Sequence, residues 1–150
     1  MKQFLLVHLI TVFSIGVNAQ SPVKWTYNAV KLEQGVFEIH LTASIEPGWH
    51  IYAQQQPEEA IAVPTAINFT KNPIVSFIGE TKEWGHREHF KDATLGIEAF
   101  QYAQKIDFVQ QVKLKIKGKT NLRGDITFQV CTDEKCLPPA TTAFNIILEN

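Results

Sequence analysis

Val36-Phe37-Glu38-Ile39-His40-Leu41-Thr42-Ala43-Ser44-Ile45 alternates apolar and polar side chains after the leading Val36. A period of two puts Phe37, Ile39, Leu41, Ala43 and Ile45 on one face of a strand and the polar residues on the other. The same period recurs on both sides of this stretch. Trp25-Thr26-Tyr27-Asn28-Ala29-Val30 shows it loosely, and Ala99-Phe100-Gln101-Tyr102-Ala103-Gln104-Lys105-Ile106-Asp107-Phe108 reads as another strand. Val112-Lys113-Leu114-Lys115-Ile116-Lys117 reads as a half-exposed strand with its lysines outward, followed by a turn at Gly118-Lys119-Thr120-Asn121. Ala66-Ile67-Asn68-Phe69 and Ile74-Val75-Ser76-Phe77-Ile78 are short β-rich runs bounded by Lys71-Asn72-Pro73 and Gly79. Ile126-Thr127-Phe128-Gln129-Val130 and Phe144-Asn145-Ile146-Ile147-Leu148 close the series. No stretch carries a helical period with caps. Many short strands separated by turn residues predict an all-β fold, an immunoglobulin-like β-sandwich of about seven to nine strands in a single domain. Gln54-Gln55-Gln56-Pro57-Glu58-Glu59, the most polar uninterrupted segment, reads as an exposed loop.

The first nineteen residues do not fit this pattern. Lys2 precedes a mostly apolar run from Phe4 to Val17, and Val17-Asn18-Ala19 is a small-x-small cleavage site. Residues 1–19 therefore read as a signal peptide and residues 20–150 as the mature domain. A membrane span needs about 20 predominantly apolar residues, and this run is shorter. No cysteine lies at the cleavage point, which argues against a lipid anchor. Of 14 basic and 15 acidic side chains only Lys2 lies in the leader, so 13 remain against 15. That balance excludes a nucleic-acid or anionic-membrane binder. Export puts the two cysteines in an oxidising compartment where a disulfide persists.

Those cysteines stand in Gln129-Val130-Cys131-Thr132-Asp133-Glu134-Lys135-Cys136-Leu137-Pro138-Pro139, between two strand-like runs. The simplest geometry is two strand ends facing each other across a short polar loop. Facing antiparallel residues lie about 4.5–5.5 Å apart at Cα, close to what a disulfide needs. A disulfide closing so short a loop stabilises little, and a domain of this size builds its core without one. The pair is thus better suited to electron exchange than to holding a fold. Exchange needs a thiolate, an accessible sulfur and a second cysteine to resolve the mixed disulfide. Cys131 and Cys136 supply the pair, and the sequence leaves open which of them is the nucleophile. Asp133 and Glu134 raise a neighbouring thiol pKa and Lys135 lowers it, leaving the net effect open. There is no C-x-x-C at a helix start, which points to a protein that is passed electrons. Two other readings stay open. One is a non-catalytic binding module with a structural hairpin disulfide. The other is a metal-binding chaperone using both cysteines with His50, His86 or His89, although the histidines lack a ligand-pair spacing.

Two aromatic segments are candidates for the walls of a site. In Gly48-Trp49-His50-Ile51-Tyr52, Trp49 reads as core, and His50 and Tyr52 as site-lining. Glu83-Trp84-Gly85-His86-Arg87-Glu88-His89-Phe90 is either a solvated strand edge or a loop whose aromatic covers the disulfide.

The run from Phe128 to Cys131 and from Cys136 to Pro139 resembles the active-site hairpin of the periplasmic N-terminal domain of the DsbD thiol:disulfide interchange protein. Gly48-Trp49-His50-Ile51-Tyr52 is similar to that family's Gly-aromatic-x-apolar-Tyr segment. Order and spacing agree from about Val23 to Leu148. Four residues separate the cysteines here, against five in the best-known members. The resemblance implies an immunoglobulin-like sandwich that relays electrons without a bound cofactor or metal, in the periplasm. It makes Cys131 and Cys136 the redox pair, with Cys131 expected to bond the partner and Cys136 to resolve, Tyr52 and His50 lining the site and Trp84 as the aromatic cap. The implied partners are thioredoxin-like exported proteins as electron donor and acceptor, such as disulfide isomerases and cytochrome c maturation thioredoxins. Because the sequence ends at Asn150, a stand-alone version is expected, fed by a separate membrane electron transporter or another exported redox protein.

Overall fold

The structure, a computed structural model, describes residues 21–58, 60–94 and 96–150. The leader expected at residues 1–19 lies outside them. Among the described residues all regular structure is β: nine strands in two sheets. The larger sheet is built around β6 (Ile97–Leu114). Along one edge of β6 lie, end to end, β2 (Val36–Ile45) and β3 (His50–Tyr52), both antiparallel to it. β1 (Val23–Glu33) covers the far side of β2, and β8 (Val130–Cys131) covers the far side of β3. β5 (Val75–Asp92) runs along the other edge of β6. The smaller sheet is β4 (Ala66–Phe69), β7 (Lys119–Phe128) and β9 (Ala140–Glu149), with β7 in the middle.

The alternation in β2 appears as burial. Phe37, Ile39, Leu41, Ala43 and Ile45 are buried, and the residues between them are not. They meet Leu122, Ile126, Phe144, Ile146 and Leu148 of the smaller sheet in one continuous core. Leu41, Ile106, Phe108, Leu122 and Leu148 are wholly shielded from solvent. Close approach of the small sheet's strands needs Gly124: a Cβ there would stand 2.2 Å from the Asn68 carbonyl oxygen and 2.4 Å from Phe144 Cζ.

Several boundaries depart from the sequence expectation. β6 stops at Leu114, so the turn falls at residues 115–118 and Ile116 is exposed. The strand expected at Ile126 to Val130 is divided. Phe128 ends β7 in the small sheet, and Val130 begins β8 in the large one. The chain crosses between sheets at Gln129, a corner of the kind that sandwiches make at bends. Gly79 does not end a strand but sits in a bulge of β5, at a register shift between Ile78 and Lys82. Nor are residues 54–58 of the expected 54–59 loop wholly exposed. The Gln56 side chain behaves like one more strand peptide: Nε2 donates to the Phe100 carbonyl at 2.7 Å, and Oε1 accepts from the Phe100 amide at 3.0 Å.

Candidate functional site

Pro47-Gly48 makes the turn that positions the site. Gly48 has φ +81° and the Trp49 amide bonds back to the Glu46 carbonyl at 3.1 Å, as a type II turn requires. β3 follows at once. In it Ile51 points into the core and is fully buried, so His50 and Tyr52 share the opposite face. β8 pairs with β3 in the register His50 opposite Cys131 and Ile51 opposite Val130. Facing residues project to the same side of a sheet, so Cys131 lies on the His50 and Tyr52 face. β6 adds Gln101 opposite Tyr52 and Ala103 opposite His50, and β5 adds Glu88 and Phe90 opposite Gln101 and Ala99.

Cys131 and Cys136 are disulfide-bonded, with Cα atoms 4.0 Å apart. The Thr132 amide bonds to the Lys135 carbonyl at 2.7 Å, and the Leu137 amide to the Val130 carbonyl at 2.9 Å. The cysteines are therefore the non-hydrogen-bonded pair between two ladder bonds, the closer of the two antiparallel spacings. The loop tip is held by the Thr132 hydroxyl, which accepts from the Glu134 and Lys135 amides. Lys135 Nζ stands 5.8 Å over the Trp49 ring, so the one cation of the loop is turned toward an aromatic beside the pair.

The two sulfurs differ in access. Cys131 is wholly buried, whereas Cys136 is exposed and opens on a cleft of about 420 Å³. The cleft is lined by His50 and Tyr52, by Phe90, Ala99 and Gln101 of the β5–β6 hairpin, and by the loop from Thr132 to Cys136. The Tyr52 hydroxyl lies 3.9 Å from Cys136 Sγ, and the His50 and Tyr52 rings meet edge-to-face at 5.4 Å. Burial raises the Tyr52 pKa, so its hydroxyl keeps its proton. Burial is also the largest influence on His50 and lowers its pKa, with Asp133 and Glu88 partly opposing it. The expectation that Cys131 bonds the partner does not fit this geometry, because its sulfur is out of reach and that of Cys136 is not.

Trp84 is not at the site. It faces Asp107 across β5 and β6, is 65% exposed, and borders Lys82, Val109 and Gln111 on another part of the sheet. The aromatic of β5 that reaches the cleft is Phe90, six residues further along the same strand. Its position, opposite Ala99 on β6, was not singled out from the sequence. Of the histidines considered as ligands, only His50 joins the cysteines. His89 packs on Phe100 and bonds Glu98, and His86 sits at a second register shift of β5. No group of three or more His, Cys, Asp or Glu side chains placed to hold a metal ion occurs among the described residues.

Residues 19–148 match the family described as thiol:disulfide interchange protein DsbD, N-terminal. The chain belongs to the DsbD N-terminal family. In structure it is similar to the N-terminal periplasmic domain of ScsB from Proteus mirabilis, with a TM-score of 0.61 and 22% identity over 87% of this chain and 48% of that one. It thus spans about half the length of the ScsB chain. It is also similar to the DsbD N-terminal domain of Neisseria meningitidis in the reduced form, with a TM-score of 0.51 and 15% identity over 75% and 78% of the two chains. A third likeness is to the complex between the DsbD N-terminal and PilB N-terminal domains of the same organism, with a TM-score of 0.50 and 13% identity over 85% and 87%. At these identities the three structures bear on the fold, and they agree with the sandwich described above. No curated protein matches the chain.

Proposed function

We propose that this protein is an exported electron relay that works through Cys131 and Cys136 on thioredoxin-like partners in the periplasm. The observation that carries the reading is the unequal exposure of the two sulfurs: Cys136 stands at the wall of an open cleft and Cys131 is sealed beneath it. A partner thiolate reaches Cys136 Sγ. The new sulfur–sulfur bond forms there, the Cys131–Cys136 bond breaks, and the electron pair passes to Cys131 Sγ. The second partner thiol then displaces Cys136 and leaves oxidised, with the pair in this protein reduced. Run backwards on another partner, the same two steps deliver the electrons. Residues 1–19 serve as the leader, residues 20–150 as the redox domain, and Phe90, in place of Trp84, as the aromatic over the pair. Tyr52 and His50 line the approach. The complex of a DsbD N-terminal domain with another protein's domain supports a protein as partner. Disulfide isomerases and cytochrome c maturation thioredoxins are the acceptors we propose, with a separate membrane transporter as the source of electrons.

The first test is the reduction potential of the pair in glutathione or dithiothreitol buffers. A value between about −270 and −120 mV, the range of exchange proteins, is expected. A value below about −300 mV is that of a structural disulfide and would replace the relay with a binding module carrying an inert staple. Trapping then assigns the sulfurs: Cys131→Ser holds a mixed disulfide with a partner, and Cys136→Ser does not.

A further inference from the structure

Resolution of a mixed disulfide on Cys136 falls to Cys131, and that thiol is shielded from the solvent that would take its proton. Its residue is wholly buried. A thiol attacks as thiolate, and desolvation raises a thiol pKa by disfavouring that form. The residue directly opposite Cys131 on the neighbouring strand is His50. Facing residues of antiparallel strands have Cβ atoms about 4.5–5.5 Å apart, within reach of an imidazole. His50 is itself only 8% exposed, yet lines the cleft beside Cys136. His50 thus shares a sheet face with the sealed cysteine and also borders the opening of the cleft.

We propose that His50 is the general base that removes the Cys131 proton in the resolving step, a role that rests on the relay reading above. With the partner bound to Cys136, neutral His50 takes the proton from Cys131. Cys131 Sγ attacks Cys136 Sγ, the internal disulfide forms, and the partner's sulfur leaves as thiolate with the electron pair. The pair in this protein is oxidised by two electrons and the partner is reduced by two. The proton passes from His50 through the cleft to solvent or to the departing thiolate. In the opposite direction imidazolium protonates Cys131 as it leaves.

The surroundings suit a base. Burial lowers the His50 pKa, which keeps the ring neutral near pH 7. The charged and titratable groups around it are Asp133 from the hairpin loop, Glu88 from β5, Tyr52 on its own strand and the cysteines on β8 and the loop. β6 presents the neutral Gln101 and Ala103, and Gln101 Nε2 donates to Glu88 Oε2 at 3.2 Å. Asp92, Glu134 and Lys135 line the same cleft. Asp133 and Glu88 favour the imidazolium, which helps the ring hold the proton it has accepted.

The test uses the reduced protein with an excess of dithiobis-nitrobenzoate, an aromatic disulfide that releases a coloured thiolate. Attack by Cys136 releases one thiolate per protein, and resolution by Cys131 releases the second. In His50→Gln the second-phase rate, taken relative to the first phase of the same protein, is expected to fall about 100-fold at pH 7, the usual scale of general-base catalysis. The wild-type to variant ratio of second-phase rates should then shrink as pH rises toward the thiol's own ionisation, whereas a purely structural loss would leave the ratio constant. The wild-type protein gives an independent readout. Its second-phase rate should bend at the pH where the His50 ring titrates by NMR in the reduced protein. A profile that follows thiol ionisation alone overturns the proposal, whether or not the variant folds. A second phase within twofold of wild type in His50→Gln overturns it as well, while two thiolates per protein leave the relay standing. Release of none, or of one only, sinks the relay reading and the proposal with it.

Discussion

Tyr52 holds its hydroxyl 3.9 Å from the exposed sulfur of Cys136. In the disulfide this is a weak contact, because a bonded sulfur is a poor acceptor. On reduction the same hydroxyl faces a group that ionises. Burial keeps Tyr52 protonated, so it acts as a donor, and a hydrogen bond to the charged form lowers a pKa. Tyr52→Phe is expected to raise the Cys136 thiol pKa. A net bond of about 1 kcal/mol corresponds to somewhat under one pKa unit, since a unit is about 1.36 kcal/mol. The pH dependence of iodoacetamide alkylation of the reduced protein measures it, and an unchanged midpoint would remove Tyr52 from any part in tuning the thiol. At this scale much of the site can be read by parity. His50 and Tyr52 are two residues apart after a Pro-Gly turn, and the cysteines are the only two in the chain. Which sulfur is exposed cannot be read that way, because it depends on the crossing at Gln129 that tucks β8 into the larger sheet.

The β5–β6 hairpin forms the other wall of the cleft, and its pattern is the one the sequence conceals. β2 is legible because one of its faces is wholly buried, so burial and period agree residue by residue. β5 lies at the sheet edge with most of its residues exposed, and carries two register shifts, between Ile78 and Lys82 and between Gly85 and Arg87. Each shift breaks the count by which a period of two assigns faces. Across the second one β6 has Gln104 at φ +63°, where the strand changes partner from β2 to β3. Glutamine gives no sign of that conformation, which is uncommon outside glycine, asparagine and aspartate. Trp84 therefore stays on one part of the sheet while Phe90, beyond the shifts, reaches the cleft. Phe90 is 40% exposed, so its removal opens the cleft without emptying a core. Phe90→Ala is expected to speed reduction of the disulfide by dithiothreitol about three- to tenfold, since exchange depends on access. Stability should change by less than about 1 kcal/mol, as for other surface changes. Stopped-flow reduction alongside urea unfolding separates the two effects, and an unchanged reduction rate would mean that Phe90 shields nothing.

Across the whole molecule, the sandwich is held by a core to which the disulfide is incidental. The buried cluster runs from Val23 on β1 to Leu148 on β9 and joins both sheets through aliphatic and aromatic side chains. The cysteines are five residues apart, and the loop-closure model assigns so short a link only about 2 kcal/mol. Domains of ordinary stability have about 5–15 kcal/mol, so the reduced protein should remain folded. The ladder bonds on either side of the pair, Thr132 to Lys135 and Leu137 to Val130, do not involve the sulfurs and keep the thiols facing each other. Reduction under dithiothreitol is therefore expected to leave the far-UV circular dichroism unchanged and the unfolding cooperative. Tm should fall by no more than about 10 °C, the scale set by about 2 kcal/mol in a domain of this size. Loss of the β signal on reduction would show that the disulfide carries the fold, and a protein that unfolds each time it is reduced cannot serve as a reusable relay. A reduced state that stays folded keeps Cys136 in its cleft beside Tyr52 and His50, ready for the next partner in either direction.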